Sequence, residues 1–258
     1  MSLIAQLRGV WFDFLAAVQF LTRLPAPSGP YEKDSLARAV KFFPAVGLLI
    51  GLGSALLYFL LVPHLPLMVV GLLVVIYLVV ITGCLHEDGL ADAADGFGGG
   101  WEREKVLAIM RDSRIGSYGA AALIFSVLSR VLFIASLPSD RAEVYLVVAP
   151  VLSRWTTLPL SFYLPSARER RDDQIDGQGA RIARLTTLAS LILGSLFTAI
   201  VVFALLRIRG FVPVIASAGV TLLTALYYNR RIGGITGDCF GATNQLAEIA
   251  VYLSGVWA

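Results

Sequence analysis

The fold is decided by residues 67–96, which read LMVVGLLVVIYLVVITGCLHEDGLADAADG. An uncharged run of about twenty residues, the length of a membrane-spanning helix, is followed by four acids in nine positions. On a helix, Asp88, Asp92 and Asp95 would fall within an arc of about 60°, since each residue advances by about 100°. Three carboxylates on one stripe repel each other. The pattern therefore favours a bound divalent metal, backed by the charge of a phosphorylated substrate.

A second interpretation of these acids stays open on the sequence alone. They would be solvated loop residues beside a membrane helix, because Gly98, Gly99 and Gly100 favour irregular backbone. The abrupt change from an apolar run to an acidic cluster favours the metal interpretation.

The composition indicates an integral membrane protein. Hydrophobic residues make up 57% of the 258 residues and charged residues only 15%, against about 25% charged in soluble domains. Irregular backbone cannot face lipid, so the apolar runs should be helices in a lipid bilayer. We predict an all-α, polytopic helix bundle that forms a single domain over residues 1–258. The basic residues lie in short connections, where they set orientation, so nucleic-acid binding is not expected.

The apolar runs predict the positions of the helices. We predict seven membrane spans, at about residues 42–62, 67–85, 118–137, 144–164, 185–206, 211–228 and 237–257. Residues 7–24 either span the membrane or lie against the bundle, because Asp13 and Gln19 interrupt them. Residues 101–114 should form a short amphipathic helix on the membrane surface.

The arginines and lysines indicate the orientation. Most of them fall in connections that would share one face of the membrane, around residues 103–114, 165–184 and 230–231. Positive connections stay on the cytoplasmic side. We therefore expect the acidic stretch on the cytoplasmic face of a prokaryotic inner membrane, where it suits cytosolic, phosphorylated substrates better than transport.

Two further motifs carry polar side chains. Arg114, in the sequence Asp112-Ser113-Arg114, offers a planar fork for phosphate, although it is equally suited to anchoring the chain at the membrane interface. Gly237 and Asp238 precede the last apolar run, where a helix N-terminus favours anions. Asp238 would either cap that helix or complete a metal site.

Three charged residues lie inside predicted spans, namely Arg130, Arg154 and Glu248. Each costs about 2.5–3.5 kcal/mol at mid-membrane on an insertion scale, so all three should face the bundle interior and have partners. We predict that Glu248 pairs with one of the two arginines.

Several motifs together resemble a known family. Residues 86–96, 109–116 and 233–238 resemble, in this order, the motifs of the adenosylcobinamide-GDP ribazoletransferases, or cobalamin synthases. Residues 21–25 and 42–47 resemble the N-terminal region of that family. The likeness covers nearly the whole chain, and the three motifs show no departure from the family pattern.

The resemblance implies a reaction and a set of ligands. Adenosylcobinamide-GDP would be the donor and α-ribazole, or its 5′-phosphate, the acceptor; GMP leaves, and adenosylcobalamin or its 5′-phosphate forms. The family is integral to the membrane and uses Mg²⁺, and a homo-oligomer is possible. The metal ligands would be Asp88, Asp92 and Asp95. The catalytic residues would be His86, Asp92 and Arg114. Either His86 or a carboxylate would take the acceptor proton, Asp92 would bind the metal, and Arg114 would hold the departing GMP phosphate. The cofactor-binding residues would be Asp112, Ser113, Gly237 and Asp238.

Two other functions stay open at this point. A phosphotransferase of the CDP-alcohol type also uses an acidic motif, but its pattern begins D-G-x-x-A-R, whereas Ala91-Asp92 follows Asp88-Gly89 here. A cation transporter should carry mid-span carboxylates on several helices, and only Glu248 meets that condition.

Overall fold

A computed structural model describes residues 3–27, 35–168, 182–183 and 185–257. The described backbone is helical, apart from turns and one isolated bridge between Ser166 and Ile235, so the predicted all-α class is confirmed. The helices are α1 Leu3–Leu21, α2 Ser35–Ala39, α3 Phe43–Leu61, α4 Leu67–Thr82, α5 Leu85–Gly99, α6 Arg103–Ile109, α7 Ser117–Ser136, α8 Ala142–Trp155, α9 Thr157–Tyr163, α10 Leu188–Leu206, α11 Phe211–Ile232 and α12 Gly237–Trp257.

Several helices are long and apolar enough to cross a membrane. Within the described ranges, three helical stretches meet this condition: Ser35–Leu61, Ser117–Ser136 and Leu188–Ile232. The last is 45 residues long and contains two of the predicted spans, α10 and α11. Helices α4 and α5 meet the condition only when they are taken together across the 90° bend between them. Counting this pair as one span gives up to four candidate spans in the described ranges. The helix positions agree with the sequence, and the count of seven spans stays a prediction.

Two predicted elements differ from the structure. The predicted span 144–164 is divided, because α8 ends at Trp155 and α9 begins at Thr157. Pro159 has no N–H to donate to the carbonyl of Trp155, so one continuous helix would lose a hydrogen bond there. The surface helix expected over residues 101–114 is limited to the seven residues of α6.

The N-terminal helix α1 is not among the stretches that meet the spanning condition. Its Asp13 is buried and pairs with Arg38 at 3.2 Å and with Lys41 at 3.3 Å. These contacts hold α1 against the segment that leads into α3, which favours the second of the two possibilities left open for residues 7–24.

Helix α8 lies at the centre of the bundle, and nearly all of its side chains are buried. Helix α3 packs closely against it at two glycines. A side chain at Gly47 would collide with the backbone of Pro150, and one at Gly51 would collide with Val147. Small residues that allow helix backbones to approach are typical of membrane helix packing. Large apolar side chains cover the outside instead, including Leu56, Phe59, Phe125, Ile200 and Leu223.

A sharp turn places the acidic stretch. Gly83 and Cys84 both have left-handed backbone, with φ of 62° and 61°. The N–H of Cys84 donates to the carbonyl of Val79, which satisfies the end of α4. The chain then leaves at 90° as α5. The acidic stretch is therefore a helix, and the interpretation of its acids as residues of an irregular loop is wrong.

Candidate active site

The four acids of α5 divide into two pairs with different surroundings. Glu87 and Asp95 are buried, at 7% and 9% exposure, whereas Asp88 is exposed and Asp92 is half-buried. One pair thus faces the interior of the bundle, and the other is open to solvent. The two pairs have different partners and should have different roles.

Glu87 belongs to a network of buried charges, which we call the ion network: Glu87, Arg130, Arg154 and Glu248. Arg130 lies 3.0 Å from Glu87 and 3.6 Å from Glu248, and Arg154 donates to Glu248 at 2.9 Å. Two arginines and two glutamates balance in charge, as residues excluded from water require. The predicted pairing of Glu248 with an arginine is confirmed, and the network ties α5 to α7, α8 and α12.

Asp95 caps the start of α7. Its two carboxylate oxygens accept hydrogen bonds from the N–H groups of Gly116 at 2.7 Å and Gly119 at 2.8 Å. A negative charge at a helix N-terminus is favourable, since the N–H groups there lack helical partners. A side chain at either glycine would collide with this carboxylate. Asp95 therefore has a structural task besides the metal role predicted for it.

Asp88, Asp92 and Asp238 form a second group, which we call the acid cluster. The pKa of Asp92 is raised to about 6, first by burial and then by the charges of Asp238, Asp88 and Asp95, while Arg168 acts in the opposite direction. Neither Asp88 nor Asp92 has a hydrogen bond or ion pair with any residue that the structure describes. Because α5 turns away from the apolar part of α4, these carboxylates lie outside the apolar spans. A cation would relieve their repulsion.

Helices α5 and α12 bring the acid cluster together from distant parts of the chain. They cross at two glycines, and a side-chain carbon at Gly89 would lie 3.0 Å from the carbonyl oxygen of Asp238 and 3.1 Å from Gly241. Only residues without a side chain allow this approach. Asp238, predicted as a helix cap or a metal ligand, thus lies beside the acidic helix.

Arg168 is a site residue that the sequence reasoning missed. Its guanidinium lies 2.9 Å from the carboxylate of Asp238. Its backbone is held in place because Ala167 and Pro165 pair with Ile235 at 2.9 Å each, and Arg103 donates to the carbonyl of Ala167 at 2.7 Å. In the sequence, Arg168 is one of several arginines in a polar loop, and no local pattern distinguishes it.

Asp112, Ser113 and Arg114 lie apart from the acid cluster. Arg114 pairs with Asp112 at 2.6 Å, and this hydrogen bond lowers the pKa of Asp112 to about 2. Both Ser113 and Arg114 are exposed, and neither Asp112 nor Arg114 is among the charges that perturb Asp92. Asp95 of α5 binds the N–H of Gly116, which follows this loop. The roles predicted for these three residues stay predictions.

A cavity of about 210 Å³ adjoins the acid cluster and is lined by His86, Asp88, Gly237 and Asp238, among others. His86 is 6% exposed, and its Nε2 has no hydrogen-bond partner among the described residues. The structure thus places His86 and Gly237, both predicted as site residues, beside two of the acids. Their chemical roles stay predictions.

The donor set can be compared with what Mg²⁺ requires. In the described part of the chain, no group of three or more His, Cys, Asp or Glu side chains is close enough to hold a metal ion. A preformed cage of Asp88, Asp92 and Asp95 is therefore not found. Mg²⁺ keeps several waters and binds through one or two carboxylates plus substrate phosphates. Asp88 and Asp92, which have no hydrogen bond or ion pair among the described residues, fit that mode.

Comparisons with known proteins point to one family. The cobalamin-5-phosphate synthase family matches residues 13–256. The chain is 42% identical to an adenosylcobinamide-GDP ribazoletransferase of Sinorhizobium medicae, over 95% of this chain and 96% of the relative. It is 43% identical to one of Azorhizobium caulinodans, over 95% and 94%, and 40% identical to one of Shewanella frigidimarina, over 93% and 92%. No solved structure matches the chain.

Proposed function

The chain belongs to the cobalamin-5-phosphate synthase family, and we propose that it is an adenosylcobinamide-GDP ribazoletransferase. It joins adenosylcobinamide phosphate to α-ribazole, or to α-ribazole 5′-phosphate, and releases GMP. The observation that carries the proposal is the acid cluster, in which two carboxylates that have no partner in the described part of the chain lie on a helix whose sequence resembles the family motif. The CDP-alcohol and transporter alternatives have no comparable support.

The reaction breaks one phosphoanhydride bond and forms one phosphoester bond. An acceptor hydroxyl attacks the phosphate carried by cobinamide, GMP leaves with the bridging oxygen, and the hydroxyl proton passes to a base. Such transfers depend mainly on positioning and on neutralising charge. Bound Mg²⁺ would neutralise the donor diphosphate.

The residues of this chain supply the positioning. Asp88 and Asp92 would hold the metal, and Arg168 places a guanidinium beside them that suits a phosphate oxygen. Asp238 orients that guanidinium through their ion pair. His86, at the cavity beside Asp88, is the candidate base for the acceptor proton.

We also propose that the acid cluster faces the cytoplasm across an inner membrane. The arginine-rich segment around residues 168 and 230–231 belongs to the same end of the bundle as α5, since Arg231 donates to the carbonyl of Gly100 at 2.6 Å. Positive residues favour the cytoplasmic side. Cysteines placed at Arg207 and Arg209 should then react with an impermeant reagent added outside. Labelling only from the cytoplasmic side would invert this topology.

One assay tests the proposed activity. The purified chain is reconstituted in vesicles, and GMP release from adenosylcobinamide-GDP is measured with α-ribazole and Mg²⁺ both present, and with each left out in turn. We expect release only when all three components are present. GMP release that does not depend on α-ribazole, or metal-dependent ion flux without GMP release, would contradict the proposal.

A further inference from the structure

The cavity beside the acid cluster has two unlike sides. Its polar edge carries Asp88 and Asp238, which belong to the acid cluster. The rest of the described wall is mainly apolar: three glycines, His86 and Thr157 accompany the large apolar side chains Phe20, Leu21, Phe43, Leu85, Ile182 and Phe240. The rings of Phe20 and Phe43 stack at 5.7 Å with an angle of 23° between their planes. A flat, apolar ring system finds aromatic surface here, directly next to the carboxylates.

Residues of two helices meet at this cavity. Asp88 and Gly89 belong to α5, and Gly237, Asp238 and Gly241 belong to α12. A molecule in the cavity would therefore lie directly beside the acid cluster.

We propose that the cavity binds the base of the acceptor nucleoside α-ribazole, an inference that rests on the function proposed above. That base is a fused benzene and imidazole ring, and its flat, largely apolar surface suits the phenylalanines. With the base among the phenylalanines, the attached ribose would extend toward Asp88 and Asp238. The acceptor hydroxyl would then lie beside the carboxylates that would hold the metal.

The two other ring systems in the reaction fit less well. A corrin macrocycle is much larger than a cavity of about 210 Å³. Guanine has a suitable size, but it carries several hydrogen-bonding groups that an apolar wall would leave without partners. The same wall accepts a methylated benzene ring without such a loss. The cavity therefore favours the acceptor base over the guanine of the donor.

Two substitutions in the full-length protein in vesicles test the proposal. Leu85→Trp fills the cavity, and Phe20→Ala removes part of its aromatic wall. Each should raise the KM for α-ribazole about tenfold and leave the KM for adenosylcobinamide-GDP unchanged. The matched controls are Leu56→Trp and Phe59→Ala, at outward positions that are each 59% exposed; both should leave both KM values unchanged. Thermal unfolding of each variant shows whether it folds.

The possible outcomes separate the alternatives. A rise in the KM for the donor alone would assign the cavity to guanine and overturn the proposal, and so would unchanged KM values in both cavity variants. If the unaltered chain releases no GMP, the proposed function fails instead. Equilibrium dialysis with α-ribazole then still tests the cavity, because the unaltered chain should bind α-ribazole about tenfold more tightly than Leu85→Trp. Equal binding would overturn the proposal.

Discussion

The ion network and the acid cluster both include residues of α5, but they differ in how their charges are paired. In the network, Glu87 and Glu248 each lie within 3.6 Å of an arginine, deep in the bundle. In the cluster, Asp88 and Asp92 have no such partner among the described residues, and the pKa of Asp92 is raised to about 6. A balanced set of charges holds a helix in place, whereas an unbalanced set favours the binding of a ligand. Helix α5 contributes to a balanced set on one face and to an unbalanced set on the adjacent face.

The largest expected effect is a loss of activity when an acid of the acid cluster, but not an ordinary surface acid, is neutralised. Asp92→Asn should lower GMP release about 10³-fold, because the charge that binds the metal is lost. Its unfolding temperature should not fall, since the substitution removes a repelled charge. Asp140→Asn, at an exposed acid, serves as the control and should keep full activity. Full turnover by Asp92→Asn would refute the metal role of Asp92.

The second effect concerns the ion network. Glu248→Gln leaves Arg130 and Arg154 without their shared negative charge, so it should lower the free energy of unfolding by about 3–5 kcal/mol. Denaturation in detergent measures the change, with Glu143→Gln at an exposed position as the control. A neutral result would mean that the network does not hold α5 in place.

The third effect tests whether Asp95 is a structural residue, as Glu87 is, or a metal ligand, as proposed for Asp92. If Asp95 serves as a cap for α7, the Asp95→Ala variant should be less stable by about 1–2 kcal/mol, and its turnover should fall in proportion to the folded fraction. If Asp95 is a metal ligand, the variant should instead lose activity like Asp92→Asn and unfold at the normal temperature. Measuring both properties of Asp95→Ala decides between the two roles.

The smallest effect is a dependence on pH. The pKa of Asp92 rises from 3.8 to about 6 in the folded chain, so between these values the folded state holds more protons than the unfolded state. The metal-free protein should therefore lose stability as pH rises through this range. The Mg²⁺ concentration for half-maximal activity should fall over the same range as Asp92 ionises. A stability profile identical to that of Asp92→Asn would show that Asp92 does not titrate there.

Much of the fold followed from simple patterns in the sequence. The apolar runs located α3, α4, α7, α10 and α11 to within a few residues, because burial in lipid constrains both their length and their composition. The pairing of Glu248 followed from the cost of an isolated charge in the bilayer. The spacing of the acids placed Asp88, Asp92 and Asp95 on one side of a helix, but Asp95 turned out to be buried as a cap of α7, and the metal role of the three stays a prediction.

Other features depend on contacts that sequence spacing does not contain. Arg168 reaches Asp238 only because residues 165–167 pair with Ile235. Asp95 binds the start of α7, which lies more than twenty positions later. Glu87 is paired with Arg130, which belongs to a different helix, whereas Asp88 has no arginine partner among the described residues. Each of these is a long-range contact between residues that look ordinary in their own segments.

The left-handed turn at Gly83 and Cys84 has a consequence for how a large donor reaches this protein. If α4 stands upright in the bilayer, the 90° bend makes α5 run parallel to the plane of the membrane. The corrinoid of the proposed donor could then remain outside the helices while its diphosphate reaches the carboxylates. The right-angled joint would present these carboxylates at the boundary of the membrane, so the proposed reaction would need no channel for so bulky a molecule.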